Sequence, residues 1–225
     1  EGEVDFEISF FDLAGNKGDL ISSSTIDNNS KVIFDRTAPS DFTLGNITSL
    51  GGNIVVDVWN STNNNLEVVV PIENDTTLKS GWVQIRAKIG SNSMEDFGGI
   101  SEILDVDILG DKSLTFSALE VESLTDFNDN ETIVFEAILY DRPGNQKTGN
   151  ESLNRLDIDQ TLPTINYVSY KSNFTDTTLA TIGDEITLSL KTSENIQQPS
   201  ITISGNSASV TGSGTLWNAS YIMQE

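Results

Sequence analysis

Oxygen-bearing side chains recur in this chain in a fixed pattern. Asp12-Leu-Ala-Gly15-Asn16 is followed, one strand later, by Asp35-Arg-Thr37-Ala-Pro39, and Asp141-Arg-Pro-Gly144-Asn145 by Asp159-Gln-Thr161-Leu-Pro163. Carboxylates and Asn amides grouped in loops are hard donors, and the ion they suit is calcium, which gathers six to eight oxygens. The ligands expected at the first copy are Asp12, Asn16 and Asp35, and at the second Asp141, Asn145, Asp157 and Asp159. This expectation puts each D-x-x-G-N turn at the same end of its domain as the closing Asp. The same residues have a plainer use, because Asp and Asn side chains accept from main-chain N–H groups two residues on and so build turns. A third oxygen-rich stretch, Asp126-Phe-Asn128-Asp129-Asn130, has donors at positions 1, 3 and 5 of an EF-hand-like loop. It carries Glu131 and Ala137 where such a loop needs Gly and Glu, so it reads as a connection.

Other chemistries are closed by composition. The chain has no cysteine and no histidine, which removes disulfides, thiolate nucleophiles and His-based proton transfer. Asp105 and Asp107 form a carboxylate pair, but no further group makes them a glycosidase dyad. No Gly-rich phosphate loop or G-x-S-x-G elbow occurs, and an enzyme is not expected. The net charge of −22, from 34 acidic and 12 basic residues, opposes binding to nucleic acid and to an anionic membrane surface. No apolar run reaches the roughly 18 residues of a membrane span, so this segment is not expected to insert. Trp59, Trp82 and Trp217 invite stacking on sugars, but each falls among apolar neighbours in an expected strand, which favours burial. Asn-x-Ser/Thr occurs at Asn28, Asn46, Asn60, Asn74, Asn130, Asn150, Asn173 and Asn218, modestly above chance for a chain this rich in Ser and Thr.

The elements that must hold these loops are strands. Val4, Phe6, Ile8 and Phe10 alternate with polar residues ahead of Asp12; Ile133, Phe135, Ala137 and Leu139 do the same ahead of Asp141. Strands are expected over 42–44, 53–59, 66–72, 81–89, 101–109, 113–121, 131–140 and 153–159, and again over 164–171, 185–191, 200–204, 207–211 and 216–223. Gly51-Gly52, Asn63-Asn64-Asn65 and Asn74-Asp75 punctuate them. No stretch sustains helical periodicity, and residues 98–101 hold a single turn at most. The pattern predicts an all-β chain of antiparallel sandwiches.

The doubled signature also divides the chain. Residues 40–162 read as one complete sandwich, 1–39 as the last strands of a sandwich, and 163–225 as the first strands of another. A segment equivalent to 1–39, from the next repeat or another chain, is expected to complete 163–225. It is not expected to lie on 40–162 as an extra sheet.

The D-x-x-G-N … D-x-T-x-P pattern, Gly51-Gly52-Asn53-Ile-Val-Val with Val58-Trp59-Asn60-Ser61-Thr62-Asn63, and Thr181-Ile-Gly-Asp184-Glu185-Ile186-Thr-Leu resemble bacterial and archaeal immunoglobulin-like repeats of large cell-surface proteins. The resemblance implies tandem immunoglobulin-like sandwiches at an extracellular or cell-surface location. Calcium at the domain junctions is part of what it implies. The function expected is a structural segment of a repetitive adhesin, surface layer or fibre, stacked rigidly and mediating adhesion or assembly. Its partners are then neighbouring copies of the same repeat or chain. The alternatives are a glycan- or host-binding module, with surface glycans as partner, and a filament subunit that polymerises by sharing strands.

Overall fold

The computed structural model describes residues 2–24 and 31–225; the Asn28 sequon and Glu1 lie outside them. The chain is all-β and forms two compact units that meet between Gln160 and Thr161, inside the second Asp-x-Thr-x-Pro.

Residues 2–39 carry four two-residue strands, β1 (Gly2–Glu3), β2 (Glu7–Ile8), β3 (Ile21–Ser22) and β4 (Ile33–Phe34). They pair only among themselves, β1 with β4 and β2 with β3, and join neither sheet of the residues that follow. The alternation expected over 4–10 is present, but its apolar residues lie on no core.

Residues 40–160 hold β5 (Ile47–Leu50), β6 (Val58–Asn60), β7 (Asn65–Ile72), β8 (Trp82–Ile89), β9 (Glu95–Glu102), β10 (Gly110–Ser117), α1 (Ala118–Glu122), β11 (Thr132–Tyr140), β12 (Gln146–Thr148) and β13 (Leu156–Asp159). One sheet has the order β10-β7-β5 and the other β6-β13-β11-β8-β9, with β12 on β11. Alternating inward residues build the space between them. Leu66, Val68 and Val70 of β7 are fully buried, and so are Val83, Ile85 and Ala87 of β8 and Ile133, Phe135 and Ala137 of β11. The Phe97 ring of β9 lies 4.4 Å from Phe116 of β10 and 5.7 Å from Phe135, which ties the two sheets together. Every member of the continuous hydrophobic core falls within residues 42–158.

Several elements depart from the sequence pattern. Residues 42–44 contribute only a bridge from Thr43 to Asn150, and the paired strand is β5. Residues 53–57 form no strand because Asp57 takes a φ of 59°, which redirects the chain into β6, parallel to β13. The end of the 113–121 run is α1, whose start is a capping box: Glu120 N donates to Ser117 Oγ while the Glu120 carboxylate accepts from Ser117 N. The 101–109 run leaves the sheet after Glu102 and forms a short 3-10 turn over Asp105–Asp107. Residues 95–102, which lack a clean alternation, form the edge strand β9. Within β9 only Phe97 is buried, and Gly98 at φ 65° sits where the register against β8 shifts.

The second unit carries β14 (Ile165–Ser172), β15 (Glu185–Thr192), β16 (Thr202–Ile203), β17 (Asn206–Ser207), β18 (Ser209–Ser213) and β19 (Leu216–Ile222). Its sheet has the order β14-β15-β19-β18, beside the small β16–β17 hairpin. Ser172, Leu190, Thr192, Trp217 and Ala219 are its buried residues, too few for a closed core.

Candidate functional site

Asp141 is completely buried at the end of β11. Its Oδ1 accepts from Gly144 N at 2.8 Å and Asn145 N at 2.6 Å, and its Oδ2 accepts from Asn145 Nδ2 at 2.8 Å. Gly144 adopts a φ of 102°, which explains the glycine of the signature. The first copy keeps both bonds from the Asn in the open, and takes its third from the residue two on, where the second copy has Pro143 and uses Gly144 instead. Asp12 Oδ1 accepts from Ala14 N at 2.9 Å and Asn16 N at 2.7 Å, and its Oδ2 from Asn16 Nδ2 at 2.7 Å. The bond from the Asn16 amide, then that from its main chain, holds the Asp12 carboxyl below the ordinary 3.8. In both copies the signature Asp is the keystone of its own turn.

The structure regroups the residues expected to bind calcium. Asp157 lies opposite Thr132 at the start of β11, whereas Asp141 follows its last residue. A nine-residue strand spans roughly 27 Å. Asp157 and Asp159 therefore sit at the far end of the unit from Asp141 and Asn145, and the shared-end expectation is corrected. The reason is register: β13 runs antiparallel to β11, so the strand that closes the domain returns to where β11 began. Asp35 and Asp12 part in the same way, since β4 pairs with β1 ahead of the strand that leads to Asp12.

Asp35 instead meets the second turn. Asn145 Nδ2 donates to the Asp35 carbonyl at 3.4 Å. The Asp35 side chain accepts from Thr37 N at 2.9 Å through Oδ1, and its buried Oδ2 has no hydrogen-bond partner. The exit of one signature thus docks on the turn of the other. Among the described residues, no three carboxylates come together in a group that could hold a metal. Sequence reading missed this pairing because it joins residues 110 positions apart.

The remaining sites resolve into structural uses. Asp126 Oδ2 accepts from Asn92 Nδ2 and Asp129 Oδ1 from Gln160 N at 2.6 Å, so the 126–130 loop is tied to its neighbours. Asp105 pairs with Lys79 and Asp107 with Lys112, each carboxylate facing an ammonium. Trp59 is fully buried, with Nε1 directed at Glu122 Oε1, and Trp217 is buried, with Nε1 donating to Gly214 O; Trp82 is half exposed. Asn46, Asn74, Asn130, Asn150, Asn173 and Asn218 stand at the surface, whereas Asn60 is half buried and bonded to Thr62 and Asn53. Among the described residues no helix is long and apolar enough to cross a membrane. Comparison with known proteins gives no match to any family model, curated protein or solved structure.

Proposed function

We propose that this chain is a load-bearing spacer of a repetitive extracellular surface protein or fibre, built from immunoglobulin-like sandwiches stacked end to end. The observation that carries this reading is the placement of the two connections of residues 40–160. The chain arrives beside Asn145, past one end of β11, and leaves beside Asp129 and Asn130, before the other. A module entered and left at opposite ends transmits tension along its length.

The sheet orders support the immunoglobulin-like description. The first strand is divided, with β5 in one sheet and β6 in the other, and a three-stranded sheet shares its core with a six-stranded one, as suits such a sandwich. The parallel pairing of β6 with β13 suits a mechanical role, because pulling the two connections apart shears its pairs together instead of peeling them in turn. The junction adds stiffness through Pro39, Pro163 and the contact between Asp35 and Asn145.

What supports calcium is now Asp35 Oδ2, a buried carboxylate oxygen without a donor. A glycan-binding role rests on Trp82 alone, since its two companions are buried.

Force spectroscopy on the whole chain, held by its termini, tests the spacer reading. The expected trace has one dominant peak whose extension releases roughly 400 Å, the length of residues 40–160 at about 3.4 Å each. Unfolding without a resolvable peak refutes it.

A further inference from the structure

We infer that residues 2–39 of one copy close the open sheet of residues 161–225 in a second copy of this chain. The inference rests on the spacer reading and names the neighbour that the spacer stacks on.

The chain supplies its own template. Ile133, Phe135, Ala137 and Leu139 lead into the Asp141 turn and are 0–2% exposed, because β11 pairs with β8 and faces β7. Val4, Phe6, Ile8 and Phe10 lead into the corresponding turn at Asp12 and are 41–48% exposed. Both bonds from the Asn to the Asp carboxylate are the same in the two places, so the arm is formed for a surface that residues 40–160 do not offer it.

Residues 161–225 present the matching surface. The order β14-β15-β19 parallels β5-β7-β10, but among the described residues of 161–225 the other sheet is only the two-stranded β16–β17 hairpin. On one face Val168, Leu190 and Trp217 are register partners, as are Tyr170, Leu188 and Ala219. Val168 and Tyr170 remain 55% and 78% exposed. An open groove of about 690 Å³, lined by Tyr170, Leu179, Ile186, Ile203 and Met223, lies along that face. Following the β11–β8 pairing, the 4–10 strand of the arm takes the place beside residues 200–204, with Phe6 and Ile8 over the groove.

The surface involved is large enough for a stable contact. Among the described residues, the eleven exposed large apolar side chains between Val4 and Phe34 leave roughly 1,000 Å² uncovered, taking about 150–250 Å² for a large side chain. A standard interface removes about 800 Å² from each partner. The occupant is a second copy because the arm is tethered past one end of β11 and residue 161 before the other. Closure within one chain must bridge roughly 27 Å of sheet with a few linker residues, and closure between copies does not. Such a contact is heterologous, arm to sheet, so it propagates head to tail.

Light scattering on the purified 225-residue chain tests this with two variants. Phe6→Asp with Ile8→Asp disables the arm and keeps the sheet; Tyr170→Asp with Leu188→Asp disables the sheet and keeps the arm. The native chain is expected to grow past dimers as its concentration rises. Each variant alone stays monomeric, with the force peak of residues 40–160 unchanged. An equal mixture forms heterodimers and stops there, even where the sheet variant leaves residues 161–225 unfolded, because that partner only donates its arm. The inference is overturned by a native chain that stays monomeric, including one closed on itself, by either variant assembling like the native chain, or by a mixture that stays monomeric. A failed mixture beside an intact force peak sinks the inference alone. Assembly without a force peak sinks the spacer reading instead.

Discussion

One residue type at two equivalent positions has two different weights. Asp141 is buried and its carboxylate accepts three bonds, so Asp141→Ala strands Asn145 N, leaves Gly144 N only the residue 141 carbonyl and leaves Asn145 Nδ2 only the Asp35 carbonyl. The expected loss is about 2–3 kcal/mol of stability, read by denaturant unfolding of the whole chain. Asp12→Ala breaks the bonds from Ala14 N, Asn16 N and Asn16 Nδ2 at an exposed turn and is expected to leave that unfolding curve in place. Asp12 also sets a pH dependence. Its carboxyl is held below the ordinary 3.8, so the turn is supported above that value and loses its acceptors as pH falls through the lowered pKa. The Asn16 amide resonances are expected to titrate below pH 3.8. Asp35→Asn separates the two uses of the junction. If the buried Oδ2 meets calcium, the native chain melts higher with calcium than with chelator, and the substitution erases that difference. Equal melting of the native chain in both solutions removes calcium from the proposal.

At the scale of elements, stability is concentrated in β7, β8 and β11, whose inward residues meet across the two sheets. Phe135→Ala opens a cavity beside Phe97 and is expected to cost about 3–5 kcal/mol, measured by denaturant unfolding. Gly52 ends a turn at φ 59°, where a Cβ would strike Thr62, so Gly52→Ala is destabilising on strain and on space together. Smaller elements have smaller stakes. Ser117→Ala removes the cap of α1 and is expected to cost about 1 kcal/mol. The cap has its own pH signature. Bonds from Ser117, main chain first and then hydroxyl, hold Glu120 below its usual value. The helix start is therefore supported at neutral pH and weakens as acid protonates that carboxylate.

For the whole molecule, the distribution of burial matters more than its amount. Residues 42–158 hold the continuous core, while residues 2–38 bury nothing among those described and residues 161–225 bury five side chains. Burying a large aliphatic or aromatic side chain gains about 1.5–3 kcal/mol, so the half-exposed arm and sheet leave much stabilisation unrealised until they meet. Charge opposes that meeting. The chain carries −22 overall, and both the arm and the 161–225 segment are net acidic. Raising ionic strength from about 0.01 M to 0.15 M shortens the screening length from about 30 Å to about 8 Å. Oligomers are therefore expected at lower protein concentration in the saltier buffer, measured by light scattering; an opposite trend argues that the contact is held by ion pairs.

What the sequence determined by itself was local. Alternation marked β7, β8, β11, β14, β15 and β19 to within a residue or two, and the D-x-x-G-N spacing implied a turn whose bonds all fall within four residues. These features are legible because a strand's two faces and an Asp-built turn depend on neighbours in the chain. The short edge pieces were misread where burial was one-sided or absent, as in β9 and the loop ahead of β6. Only the tertiary structure decided which end of the domain each carboxylate occupies. That outcome follows from the antiparallel register of β13 on β11, which carries Asp157 and Asp159 away from Asp141 and leaves Asp35 to dock there. Side-chain period is written residue by residue, whereas strand partnership is a competition among distant segments for the same edge and the same core.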